Sequence, residues 1–110
     1  MADQPTGPAP ASRPAPLRFE REQGFTDADW QRCLPGAVGA HPLDLSQPGQ
    51  ALVQIGAGHL YLRWQVLAPR QIALMRMPRL QVQYHFDGVT DGERVAFMRF
   101  FDMYTQRGGG

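Results

Sequence analysis

Between Gln50 and Arg107 the chain alternates apolar and polar residues with a period of two, then changes, across Asp87-Gly88, to a helical period opened by a complete capping signal. These two periods permit few architectures, because a strand with one apolar face and a helix with one apolar stripe must bury those surfaces against each other. The expected class is α+β: a small antiparallel sheet of about four to five strands, a C-terminal amphipathic helix packed on one face, and a short N-terminal helix.

Ala51 to Ile55 and His59 to Leu67 form a hairpin about Gly56-Ala57-Gly58, with Leu60, Leu62, Trp64 and Val66 inward and Tyr61, Arg63 and Gln65 outward. Ala68-Pro69-Arg70 is expected to turn the chain into a further strand from Gln71 to Met77. Leu80 to Phe86 then repeats the alternation, with Leu80, Val82, Tyr84 and Phe86 inward and Gln81, Gln83 and His85 outward. Pro78 has no amide hydrogen for a central ladder, so it marks a bulge, a bend or a turn. Leu17 to Glu22 suits a short edge strand, and Leu43-Asp44-Leu45 one short pairing within an irregular connection.

Thr90-Asp91-Gly92-Glu93 is a capping box, in which the threonine hydroxyl and the glutamate carboxylate each satisfy an orphaned amide. The helix it opens runs to about Gln106, with Phe97, Phe100, Phe101 and Tyr104 at the spacing of one buried face, extended by Ala96 and Met103. Arg94, Arg99, Asp102 and Gln106 take the other side. The shorter helix starts at Thr26 as N-cap, with Asp27 and Asp29 in its first turn and Phe25 and Trp30 placed as a hydrophobic staple. Pro35-Gly36 is expected to stop it.

A chain of 110 residues with 43% apolar content holds one core. The division is a Pro-rich disordered tail over 1–16, one domain over 17–107 and a glycine tail over 108–110. Five prolines (Pro5, Pro8, Pro10, Pro14 and Pro16) fall in the first segment, which reads as solubilising rather than as a ligand for a proline-binding groove. The opening residues have neither the basic start nor the apolar run of a signal peptide, and no segment reaches the ~20 apolar residues of a membrane span. With one cysteine, Cys33, no disulfide forms within the chain and a reducing compartment fits. The expected location is cytoplasmic, with no membrane association.

All basic residues are arginine, and the net charge is +1. Without lysine, Schiff-base chemistry, pyridoxal phosphate attachment and a GxxxxGK[ST] phosphate loop are excluded. The arginine, alanine, glycine and proline richness also suits a bacterial-like coding composition. Ser12 and Ser46 have no nucleophile elbow. Cys33 lies near the end of its helix, where the dipole opposes a thiolate. His41, His59 and His85 have no ligand spacing, so no metal and no cofactor is expected. Catalysis, if any, would fall to His85 and Asp87, because a strand end delivers side chains to a rim.

Two binding readings remain. Tyr61, Arg63, Gln83 and His85 on the outward sheet face, with Arg76 and Arg79 nearby, offer an arginine and aromatic platform for single-stranded nucleic acid. From His59 to Arg107 seven arginines stand against the four acids Asp87, Asp91, Glu93 and Asp102, which is a small excess. The favoured reading is a non-enzymatic protein-interaction or assembly module, binding a protein partner or a second copy. Val95 and Met98 lie on the polar side of the last helix, and Met75 and Met77 face away from the core if the register holds past Pro78.

The terminus Arg107-Gly108-Gly109-Gly110 resembles the diglycine ends of ubiquitin-like and sulfur-carrier proteins. That resemblance implies a tail threaded into an activating enzyme, and it covers only these residues. In that family the tail follows a strand of a β-grasp fold, whereas here it follows a helix that Gly108 would ordinarily terminate.

Overall fold

The computed structural model describes residues 16–107. The disordered tail expected over 1–16, except Pro16, and the glycine tail over 108–110 lie outside the described residues. The elements are β1 (Arg18–Gln23), α1 (Asp27–Ala37), β2 (Leu43–Asp44), β3 (Gln50–Ile55), β4 (Gly58–Ile72), β5 (Met75–Asp87) and α2 (Asp91–Arg107). The strands form one antiparallel sheet of five in the order β1-β5-β4-β3-β2, so β2 to β5 make a meander and β1 returns beside the last strand. The chain is α+β, as its two periods require.

Both helices lie over the face formed by Val53, Leu60, Leu62, Val82, Tyr84 and Phe86, all buried. Trp30 of α1 is at the centre, fully buried, with Phe25, Trp64 and Phe101 each edge-on to it at centroid distances of 5.3, 6.2 and 6.0 Å. Its indole N–H is a buried donor without a hydrogen-bond partner among the described residues. Trp64 instead donates to Asp27 Oδ1 at 2.7 Å, tying β4 to the start of α1. Thr26 caps α1 by accepting from the Asp29 amide, and the Phe25–Trp30 contact is the expected staple. The Thr90–Glu93 capping box opens α2, with reciprocal bonds of 2.9 and 3.2 Å.

Several local expectations are corrected. Helix α1 continues through Pro35-Gly36 to Ala37, because burial of Leu34, Ala37 and Val38 holds that turn and the Val38 amide rejoins the ladder at Leu34. Packing overrides the proline signal at the cost of one backbone bond. Ala68-Pro69-Arg70 is not a turn: Leu67 pairs with Arg79 and Arg70 with Met77, so Ala68-Pro69 bulges opposite Pro78. The two prolines face each other where neither must donate to a ladder. The reversal falls instead at Ala73-Leu74, inside the strand expected from Gln71 to Met77, with Ala73 at φ 53°.

Val66, expected inward, is 68% exposed. Pairing with β3 ends at Gln50–Arg63 and pairing with β1 at Gln23–Leu80. Beyond these pairs β4 and β5 continue as a two-stranded arm that leaves the core behind.

The buried side of α2 is Phe97, Met98 and Phe101 with Arg94 and Thr105, whereas Phe100, Met103 and Tyr104 are 48%, 51% and 40% exposed. The stripe is rotated: Phe97 and Phe101 meet Phe86 and Tyr84 of the sheet, and the side towards α1 is left half-exposed. Tyr104 covers Gly36, where any Cβ would collide with its ring, and Phe100 lies beside Gly39. Arg94 is tolerated inside because its guanidinium donates to the Val89 carbonyl at 2.8 Å and to Asp91 at 2.5 Å, leaving the stem to pack. No helix of the described residues is long and apolar enough to cross a membrane.

Candidate functional site

The arm is built from local rules that elsewhere would give a poor hairpin. Its turn lacks glycine, asparagine and aspartate, and a β-methyl residue at positive φ is left to make the reversal. The arm's outer residues are apolar and uncovered: Ile72 54%, Leu74 98%, Met75 64% and Met77 44% exposed. Register places Ile72 opposite Met75 and Arg70 opposite Met77 on one side, while Gln71 faces Arg76 on the other. From Val66 to Leu80 there are three arginines and no acid. A two-stranded ribbon is marginal in water by itself, and each large apolar side chain left exposed forgoes roughly 1.5–3 kcal/mol of burial.

The base of the arm is braced by β1. Glu22 accepts from Arg79 at 3.0 Å and from Arg70 at 3.1 Å, and Arg79 also donates to the Ala68 carbonyl at 2.9 Å, inside the bulge. These pairs are partly exposed and weak singly, but they hold both strands of the arm to the edge of the sheet. Arg76 has no ion-pair partner among the described residues.

The face of the sheet opposite the helices is the second candidate. Its rows are set by register: Arg18, His85, Tyr61 and Leu52 run across four strands, with His59 beside Asp87 in the next row and Glu20, Gln83 and Arg63 in the row on the other side. Tyr61 lies 6.1 Å from His59 and 5.7 Å from His85 between ring centroids. A shallow depression of about 800 Å³ joins Arg18, Tyr61, Arg63, His85 and Asp87. Tyr61, Arg63, Gln83 and His85 are thus brought together, whereas Arg76 belongs to the arm and Arg79 is engaged with Glu22. The face carries Arg18, Arg63, Arg70 and Arg79 against Glu20, Glu22, Asp44 and Asp87, so it has no net positive charge. Glu20 accepts from Gln81 and Gln83 at 2.8 and 3.2 Å, so those amides are already engaged.

His85 and Asp87 both line the depression. Among the described residues no group of three or more His, Cys, Asp or Glu side chains converges as a metal site would. Of the residues expected to bind a partner, Met75 and Met77 are exposed on the arm, Val95 is half-buried, and Met98 is 5% exposed and packed in the core. Met98 is removed from any surface patch by the rotation of α2. Sequence reasoning missed Ile72 and Leu74 as surface residues, although an acid-free run of apolar and arginine residues around two prolines was the available signal. It also missed Arg18 and His59 beside Tyr61, because their placement depends on strand order.

No protein-family model matches the chain, and no curated protein matches it.

Proposed function

We propose that this protein acts by binding, as a non-enzymatic interaction or assembly module whose contact element is the β4–β5 arm. The observation that carries this reading is Leu74, 98% exposed at the tip of a ribbon that has no flanking strand and presents Ile72, Met75 and Met77 beside it. Methionines and a branched aliphatic tip make an adaptable apolar surface, and flanking arginines suit a protein partner or a second copy. A single cysteine, Cys33, buried in the core, fits work in the reducing cytoplasm.

Affinity capture of the tagged full chain from a lysate of its source organism, with and without nuclease, tests this reading against a Leu74→Asp, Met77→Asp variant. Proteins that persist after nuclease and disappear with the variant are the expected result. Recovery that the variant leaves intact overturns the assignment to the arm.

A second reading has its own observation, the Tyr61–His85–His59 row flanked by Arg18 and Arg63 on the helix-free face. Bases of single-stranded nucleic acid stack on such rings. The equal number of acids on that face favours the arm. Recovery that collapses on nuclease treatment, and that Tyr61→Ala abolishes, would reverse the preference.

A further inference from the structure

At the end of the molecule away from the arm lies an apolar groove of about 350 Å³, between the loop after α1, the β3–β4 turn and the first turns of α2. Its walls include Val38, Ala40, Ile55, Phe97 and Phe100, and Glu93 is the one carboxylate among the lining residues, with no arginine among them. Phe100 is 48% exposed there, and Ala40 is exposed at the rim. The groove has the size of a small ligand pocket, enough for a few aliphatic side chains.

The arm and the groove are complementary. One is a projecting apolar tip flanked by Arg70 and Arg76 and free of acids. The other is an apolar recess with an acid at its edge. They cannot meet within one chain: β4 spans 15 residues from the groove end to the tip, so at about 3.3 Å per residue its ends are roughly 45 Å apart. That separation approaches the longest dimension of the fold, 52 Å.

We infer that the arm of one copy seats Leu74 and Met75 in the Val38–Phe100 groove of the next, so that the protein associates with itself head to tail. This rests on the reading of the arm as the contact element and names a second copy as its occupant. The two surfaces differ, so the contact is heterologous. A pair of copies keeps one free arm and one free groove, and association continues until a ring closes or a filament grows. Arg76 brings a cation toward Glu93, so the contact weakens with added salt.

The test is sedimentation velocity of the full chain over a range of concentrations, with an arm variant, Leu74→Asp, and two groove variants, Phe100→Asp and Ala40→Arg, each checked for a native circular dichroism spectrum. The wild type is expected to form species larger than a dimer as concentration rises, and each variant alone to stay monomeric. An equimolar mixture of the arm variant with a groove variant is expected to recover a dimer and nothing larger, because one intact arm then meets one intact groove. A mixture that stays monomeric overturns the proposal. So does a wild type that assembles with the groove variants unaffected, which would mark an arm-to-arm contact. A wild type that is monomeric throughout overturns self-association as well, and leaves the arm's role with other proteins to be decided by the capture experiment.

Discussion

Arg21, on the edge strand, donates through both terminal nitrogens to the carboxylate of Asp102 on α2, at 2.5 and 3.2 Å. The pair joins residues 81 apart in sequence and closes the side of the core where β1 has only one neighbouring strand. The guanidinium also lies over Phe19 and Tyr84, at 5.1 and 5.6 Å from their ring centroids, and those rings stack at 4.5 Å. Burial alone would lower the Arg21 pKa, but the hydrogen bond and charge of Asp102 outweigh it and hold the value above the usual one.

Because Arg21 both pairs and stacks, Arg21→Ala should destabilise by about 1–2 kcal/mol and Asp102→Ala by about 0.5–1 kcal/mol. The pair is about one-third exposed on each side, so a double-mutant cycle in urea should return a coupling near 0.5–1 kcal/mol. Equal losses from the two single substitutions would show that the stacking contributes nothing.

Alkaline pH should lower the protein's stability over two successive ranges. Burial pushes the Cys33 thiol up. Burial, opposed by Arg21 and aided by the charge of Asp102, pushes the Tyr84 phenol well above its ordinary value. Both groups hold their protons more tightly when folded, so their stabilisation is complete below the unfolded values, about 8.5 and about 10, and is lost as pH rises beyond each. Urea unfolding followed from pH 8 to 11 should show stability falling with pH. Tyr84→Phe should flatten the upper part of that fall, and an unchanged slope would refute the assignment.

The rotation of α2 makes neighbouring aromatics unequal. Phe101→Ala should cost about 3–5 kcal/mol and Met98→Ala about 2–5 kcal/mol, as fully enclosed side chains do. Phe100→Ala, at a half-exposed position, should cost less than about 1.5 kcal/mol. Thermal or denaturant unfolding gives the ranking, and a Phe100 effect equal to that of Phe101 would restore the single aromatic face expected from spacing.

Ala73 reverses the arm at positive φ, a backbone region that costs a side-chain-bearing residue about 1–2 kcal/mol. Replacing it with glycine removes that strain and adds some freedom to the unfolded chain. The net effect should be slower amide exchange from Ile72 to Met75, read by hydrogen-exchange mass spectrometry. Faster exchange would mean that the turn is not held as described.

Strand periodicity and capping chemistry were legible without a structure. Leu80, Val82, Tyr84 and Phe86 are all buried, and Thr90 and Glu93 exchange the expected bonds. Those features depend on residues close in sequence. What was illegible depended on distant neighbours. The prolines at 69 and 78 read as two punctuation marks until the register set them opposite each other. Val66 continued an inward alternation, but the strands that would have covered it end earlier. Met98 and Phe100 exchanged roles because the side of α2 that meets the sheet is set by Phe97 and Phe101 against Phe86 and Tyr84, which helical spacing cannot reveal. The candidate site was legible only as Met75 and Met77. Leu74, its most exposed member, was hidden inside an expected strand.

The most direct test of the arm as contact element is a photo-crosslinking residue placed at position 74, with a control at Gln54, an exposed residue of β3. The tagged chain is irradiated in lysate after nuclease treatment. The account predicts protein adducts from position 74, to another chain or to a second copy, and none above background from position 54. Equal adducts from both positions, or none from position 74, would contradict it.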